Sequence, residues 1–394
     1  MPAAAAAAPG GQNVVDRQMP ALPKFLVLYA AMYAAYGVSS PFLPAFVTER
    51  GLQPEHLGFV LAAGTAIRLI AAPLAGRIAD RLQALRRVLV VCIALAGAVT
   101  LGYLPAHGFA LLLALTLLQA AFLAPMTVLA DALALGASRV AAFEYGWVRG
   151  AGSAAFIAGI LLSGQLVGAY GLTAIIWSQA LLLAAAALAA TRIPELPHEA
   201  RRAPAGGTLA LLRIARFRHL VLAAALILGS HAMHDAFAVI RWTSAGVSAS
   251  TASLLWALAV LAEVVVFFAA GPALIRRVTP AGAIALAALA GMLRWAVMAQ
   301  TSAVPALVLV QPLHGITFAL LHLACMRLIS GMVPAGLEAT AQAIYATVGI
   351  GAATALLTFL SGFLYAQAGA RGFWVMCALC AAALPVAWQL RNRQ

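Results

Sequence analysis

Charge is what this chain has least of. Only 9% of its 394 residues are charged, against 64% hydrophobic, and the mean hydropathy is +0.99. That excludes a soluble domain, because a water-facing surface of this size needs far more charge. Cysteine is scarce too. Cys92, Cys325, Cys377 and Cys380 all lie in apolar segments, and the Cys377/Cys380 spacing on a hydrophobic helix makes a poor metal or redox motif. There is no HExxH, no GxSxG elbow, no carboxylate pair at catalytic spacing and no cofactor loop, so the expectation is no enzyme, no cofactor and no metal. Gly349-Ile350-Gly351 inside an apolar helix reads as close helix packing. No loop is long enough for a signalling domain.

What remains is a polytopic, all-α membrane protein. At ~20 residues per span the chain has room for about a dozen spans. Six apolar segments fall between about 22 and 190 and six more between about 217 and 390. The expected organisation is a disordered cytoplasmic tail at 1–20, a first six-helix bundle at 21–191, a cytoplasmic linker at 192–216 and a second six-helix bundle at 217–394. The tail is rich in Ala, Pro and Gly and has no apolar core, so it does not read as a signal peptide. With both termini placed inside, nineteen of the 24 Lys and Arg fall on the inner side. Arg50, Arg241 and Arg371 fall outside, and Arg68 and Arg294 lie within spans. The net charge of +13 is therefore a positive-inside signal and calls for no nucleic acid. The expected location is a bacterial inner membrane.

The halves resemble each other. Gly76-Arg77 through Asp80-Arg81 ends the second span, and Gly271 through Arg276-Arg277 ends the eighth, an offset of 195 residues that also sets Arg68 on Glu263. Repeated halves around a midplane site are the pattern of secondary transporters. Three acids stand within spans: Asp131, Asp235 and Glu263. Each costs ~2.5–3.5 kcal/mol at a helix centre, so each needs a partner or a task. Asp131 is expected to pair with Arg149, either as a structural tie between helices or as a substrate contact. Glu263, Arg294 and His314 read as neighbours able to relay a proton.

The stretch QPLHGITFALLHLACMRLI, Gln311–Ile329, concentrates polarity in an apolar span. On an ideal helix its Gln311, His314 and His322 share one face. His231, His234 and Asp235 share another, where a metal-binding reading lacks a further ligand. Trp256 lies two turns before Glu263, and Tyr29, Tyr33 and Tyr36 form a stripe. Such aromatics either pack or, facing a cavity, suit a planar apolar substrate.

These residues resemble the major facilitator superfamily and, within it, the phenylpropionate permease group related to lactose permease. The resemblance runs over nearly the whole chain after the tail. It is carried by YGVSSPFLP (Tyr36–Pro44), GTAIRL (Gly64–Leu69), GRIADRLQALRR (Gly76–Arg87), LADAL (Leu129–Leu133) and FEYGWVRGAGS (Phe143–Ser153). Further support comes from WALAVLAEVVVF (Trp256–Phe267), GMLRWAVM (Gly291–Met298) and the stretch around His314. It implies twelve helices in two pseudo-symmetric bundles and alternating access, importing an aromatic carboxylate such as 3-phenylpropionate with a proton. By the same resemblance Asp131 and Arg149 correspond to the lactose permease sugar site, and Arg294 and His314 to its coupling pair. Two departures stand out. Thr317 occupies the place of that permease's proton-carrying glutamate, which leaves Glu263 as the substitute, and the lysine that would partner Asp235 is missing.

The expected substrate site is thus Tyr36, Arg68, Asp131, Arg149, Trp256, Arg294, Gln311 and His314. The expected proton-coupling set is Asp235, Glu263, Arg294, His314 and His322, and the inner latch is Gly76, Asp80 and Arg81. The partners are a small molecule, a proton and the lipid bilayer, with the chain acting as a monomer. Symport of a sugar or nucleoside, and efflux of drugs or metabolites, are the alternatives, since a fold by itself fixes neither substrate nor direction.

Overall fold

The computed structural model describes residues 21–140, 143–194, 208–334 and 336–391. The tail at 1–20 and most of the linker at 192–216 lie outside the described residues. Among those described, the secondary structure is helix and turn without a strand. Runs this apolar satisfy their backbone groups internally, and helices do so within one segment.

Among the described residues, ten helices are long and apolar enough to cross a membrane. Two of them, Ala249–Gln300 and Glu338–Gln389, are 52 residues each. At 1.5 Å per residue that is more than twice the ~30 Å bilayer core. Each is divided by a turn with positive φ, at Thr279 (φ 64°) and at Gly369 (φ 53°). Divided there, the described helices are consistent with twelve passes. The first six are α1 (Ala21–Ser39), α2 (Pro54–Leu82), α3 (Leu85–Gly102), α4 (Phe109–Val140), α5 (Tyr145–Tyr170) and α6 (Thr173–Thr191). The second six are α7 (Ala215–Ser244), α8 (249–278), α9 (280–300), α10 (Val304–Met332), α11 (338–368) and α12 (Phe373–Gln389). A short helix, Leu43–Glu49, follows α1, and another, Thr208–Arg213, precedes α7. Helix α7 thus begins two residues inside the stretch expected to be linker.

The halves pack in the same pattern. One apolar core gathers α1, α3, α4 and α6, and another gathers α7, α9, α10 and α12. Between the halves α2 lies along α11, and α5 lies along α8. Glycines set how closely these pairs approach. A Cβ on Gly58 would stand 2.7 Å from Gly362 Cα, and one on Gly164 would strike Ser253 and come within 2.9 Å of the Ala249 carbonyl. Both contacts are at the end away from the arginine-rich loops. At the arginine-rich end, a Cβ on Gly76, Gly146 or Gly150 would meet nothing within 4 Å.

Three helices loosen into π turns, at Val266–Ala270 in α8, Gly315–Leu320 in α10 and Tyr345–Ala352 in α11. Helix α7 is interrupted at Ser230–His231, between Gly229 and Ala232. Such breaks re-aim side chains and gather at functional sites. All four surround the polar interior of the second half.

Candidate functional site

A cavity of about 690 Å³ opens between the halves. That is the size of a small-molecule site. Helices α1, α2 and α4 supply most of its wall, and α5, α7, α11 and the segment after α1 supply the rest. Tyr33 and Tyr36 stand on it edge to face, with ring centroids 5.7 Å apart, and Phe156 faces the same space. Two lining residues carry charge, Arg68 from α2 and Asp235 from α7. Arg68 is exposed to the cavity and has no hydrogen bond or ion pair to any described residue. A free guanidinium in an aromatic-walled cavity is a fork of donors awaiting a planar anion.

Gln119 was not anticipated. It lies on the wall, donates to Thr100 Oγ1 (3.0 Å) and to Gln179 Oε1 (3.3 Å), and Gln179 Nε2 donates to Ser39 Oγ (3.0 Å). The sequence signal was weak, a single amide in each of two apolar spans.

Beside the cavity, in the second half, Arg294 is buried completely. Its Nη1 donates to His314 Nδ1 at 3.1 Å, and its Nη2 donates to His234 Nε2 at 3.3 Å and to Gln311 Oε1 at 2.7 Å. Its guanidinium carbon also stands 4.6 Å from the centre of the Trp295 ring. A guanidinium only donates, so both imidazoles present it a lone pair and carry their proton on the other nitrogen. In each case that nitrogen faces a carboxylate. His314 Nε2 is 3.4 Å from Glu263 Oε2, and His234 Nδ1 is 3.0 Å from Asp235 Oδ1. Arg294 is thus the hub of two His–carboxylate pairs, reaching Glu263 and Asp235 through imidazole.

The departures from the lactose permease pattern find structural answers here. Asp235, without a lysine, is held by His234. Thr317 donates to the His314 carbonyl (3.2 Å) and meets His231 Nε2 at 3.0 Å, which leaves His231 Nε2 as the donor. His231 therefore turns away from Asp235, and among the described residues no cluster is arranged to hold a metal.

The shared face expected for Gln311, His314 and His322 breaks up. Gln311 and His314 meet at Arg294, but His322 bonds Tyr345 Oη (3.2 Å) and packs on Phe267. The π turn at Gly315–Leu320 lies between them and shifts the helical phase. Trp256 is likewise off the cavity wall and stacks on His234, centroids 4.9 Å apart. Asp131 and Arg149 do approach, with Oδ1 and Nη1 at 3.7 Å, but off the wall. Tyr29 donates to Asp131 (2.5 Å) and Arg149 donates to Tyr33, so tyrosines mediate the pair. Of the eight expected substrate residues, Tyr36 and Arg68 line the cavity. Gly76, Asp80 and Arg81 lie in the last turns of α2. Gln83 closes that helix in a left-handed cap and donates to the Asp80 carbonyl (2.7 Å).

An all-helical membrane fold around a central polar cavity is that of a membrane transporter of the major facilitator type. The chain belongs to the MFS_1 like family, whose model matches residues 23–376. It is 35% identical over 356 residues to a probable 3-phenylpropionic acid transporter of Escherichia coli (strain K12), covering 88% of this chain and 92% of that one. It is 26% identical to a maltose permease of Geobacillus stearothermophilus, covering 86% of each. Among solved structures it resembles the nucleoside transporter NupG, with a TM-score of 0.83 at 16% identity, covering 94% of this chain and 98% of that one. It also resembles the human organic anion transporter MFSD10, with a TM-score of 0.62 at 20% identity, covering 93% of this chain and 98% of that one. At these identities the two structures speak for the fold alone. The protein is a multi-pass membrane transporter and not an enzyme.

Proposed function

We propose that this transporter imports a small aromatic carboxylate, 3-phenylpropionate or a close analogue, together with a proton by alternating access. The observation that carries the reading is Arg68, a cavity-facing guanidinium with no hydrogen-bond or ion-pair partner among the described residues, set among Tyr33, Tyr36 and Phe156. A carboxylate answers the guanidinium and the phenyl ring answers the aromatic wall. The relative called a probable 3-phenylpropionic acid transporter supports the same substrate class. Arg294 is committed to His234, His314 and Gln311, which favours Arg68 over Arg294 as the substrate arginine.

The His314–Glu263 pair is the proposed site of proton storage during the cycle. Protonating His314 at the nitrogen facing Arg294 breaks their hydrogen bond, and this ties proton occupancy to the packing of α9 on α10. The tight Gly58–Gly362 and Gly164–Ser253 contacts fit a conformation closed at the outer end and open at the arginine-rich, cytoplasmic end. Gly76, Asp80 and Arg81 are the proposed latch that closes the inner end in the opposite state. The proposed setting is a bacterial inner membrane, with the protein acting as a monomer.

Neutral symport of a sugar or nucleoside is the second reading, favoured by the amides of Gln119 on the wall and Gln179 behind it. It leaves Arg68 without a charge to meet. Uptake of labelled 3-phenylpropionate into proteoliposomes, with and without an inward-acid pH gradient, separates these readings. Gradient-driven accumulation is expected. No uptake under either condition refutes the substrate, and uptake that ignores the gradient refutes the coupling.

A further inference from the structure

Asp235, one of the residues expected to couple the proton, is the cavity-wall charge to which the proposed function gives no step of its own. Its side chain is 57% exposed although it stands in the middle of a membrane helix. One carboxylate oxygen accepts the His234 Nδ1 proton at 3.0 Å. His234 is itself buried, covered by the Trp256 ring and fixed from behind by Arg294 Nη2 at 3.3 Å. The second oxygen has no hydrogen-bond partner among the described residues. The carboxylate is thus aimed into the cavity by an imidazole that cannot turn without breaking with Arg294.

Charge balance then constrains what the cavity can hold. Its wall carries one cation, Arg68, and one anion, Asp235, and the two do not form an ion pair. The empty cavity is neutral. A carboxylate arriving at Arg68 leaves it one negative charge in excess, in an environment where uncompensated charge is expensive. Among the described residues nothing else facing Asp235 absorbs that excess. Helix α1 offers Tyr33 and Tyr36, α11 offers Thr354 and Thr358, and the segment after α1 offers Leu43 and Pro44, all uncharged. Helix α8 offers Trp256, and α9 offers Arg294, already satisfied and reached through His234. Helix α2 offers Arg68, taken by the ligand. His231, on Asp235's own helix, is turned to Thr317.

We infer that Asp235, oriented by His234, takes up the coupling proton when the carboxylate substrate binds at Arg68. The inference rests on the carboxylate reading above. The balance is simple: the ligand adds one negative charge, a proton from solution converts the Asp235 carboxylate to the acid, and both leave together on release. Glu263 is a separate station. At 1.5 Å per residue Asp235 lies about 13 Å from the end of α7 and Glu263 about 21 Å from the start of α8, two points on the same side of the membrane. Arg294 lies between the pairs, so a proton at one is registered by hydrogen bonds at the other.

The test is ligand-induced proton uptake by the purified full-length protein in weakly buffered detergent solution with a pH indicator, using 3-phenylpropionate. The wild type is expected to take up about one proton per ligand bound. Asp235→Asn is expected to bind 3-phenylpropionate at least as tightly and to take up none. Asp235→Glu, which keeps the carboxyl group, is expected to keep the uptake, and it carries the test should the Asn variant fail to fold. Proton uptake persisting in Asp235→Asn overturns the inference and leaves the substrate reading standing. Binding without uptake in the wild type or in Asp235→Glu does the same. A wild type that binds no 3-phenylpropionate overturns the substrate reading, and the inference falls with it.

Discussion

Adding a methyl group at Gly58 and at Gly164 is the most direct perturbation of the alternating-access cycle. The Gly58 Cβ would stand 2.7 Å from Gly362 Cα and 3.0 Å from the Thr358 carbonyl, where ordinary contact begins at 3.4 Å. These are backbone atoms and cannot rotate away. The Gly164 Cβ would strike Ser253, whose Oγ can move, but also the Ala249 carbonyl at 2.9 Å, which cannot. Overpacking of this kind costs about 1–3 kcal/mol per site. Each single Ala variant should therefore weaken outer-end closure by roughly 5- to 150-fold. The two sites touch different residues, Gly362 and Thr358 at one and Ser253 and Ala249 at the other, so their costs add to about 2–6 kcal/mol. Inverting a 99:1 preference takes about 5.5 kcal/mol, so the double variant approaches or crosses the balance point. The assay is alkylation of a cysteine placed at cavity residue Ser40 by a membrane-impermeant thiol reagent added from outside, with the parent protein's native cysteines as background. The rate should rise in the order parent, single variants, double variant. A double variant alkylated no faster than the parent would refute the reasoning, because the two glycine contacts would then not be what holds the outer end shut.

The remaining predictions concern the charges. Arg68→Gln should weaken 3-phenylpropionate binding by about 1.5–3 kcal/mol, roughly 10- to 150-fold, while thermal unfolding in detergent stays unchanged. Unchanged affinity in calorimetric titration would mean that Arg68 does not hold the carboxylate. Glu263→Gln should abolish gradient-driven accumulation yet leave downhill exchange and ligand-induced proton uptake, and accumulation that survives in proteoliposomes would remove Glu263 from the cycle. Arg294→Lys keeps the charge but not the three directed hydrogen bonds to His234, Gln311 and His314. It should cost about 2–4 kcal/mol of stability, read as earlier thermal unfolding. A Tm within ~1 °C of the wild type would show that the hub adds little to stability.

The sequence by itself determined the all-helical membrane class, the apolar segments and the few residues that do not belong in a membrane. These are local properties. Hydropathy accumulates residue by residue, and an Asp or Arg inside an apolar run declares its desolvation cost wherever the chain goes next. Asp131 beside Arg149, and Glu263 with His314 and Arg294, were legible for that reason. Partner choice among the other charges was not. His234 reaches Arg294 across 60 residues, and whether Arg68 or Arg294 stays free depends on which side chains α7 and α10 bring to it. The π turn at Gly315–Leu320 re-phases His322 away from His314, and a 3.6-residue period has no means of announcing an extra residue in one turn. Trp256 backs the cavity instead of facing it, and Gln119, for which the sequence suggested no role, stands on the wall, because facing a cavity or backing it depends on helix rotation, which is set by packing between helices. Only the tertiary structure turned an acid with no lysine into a carboxylate aimed by an imidazole, because that contact is made by geometry and leaves no trace in composition.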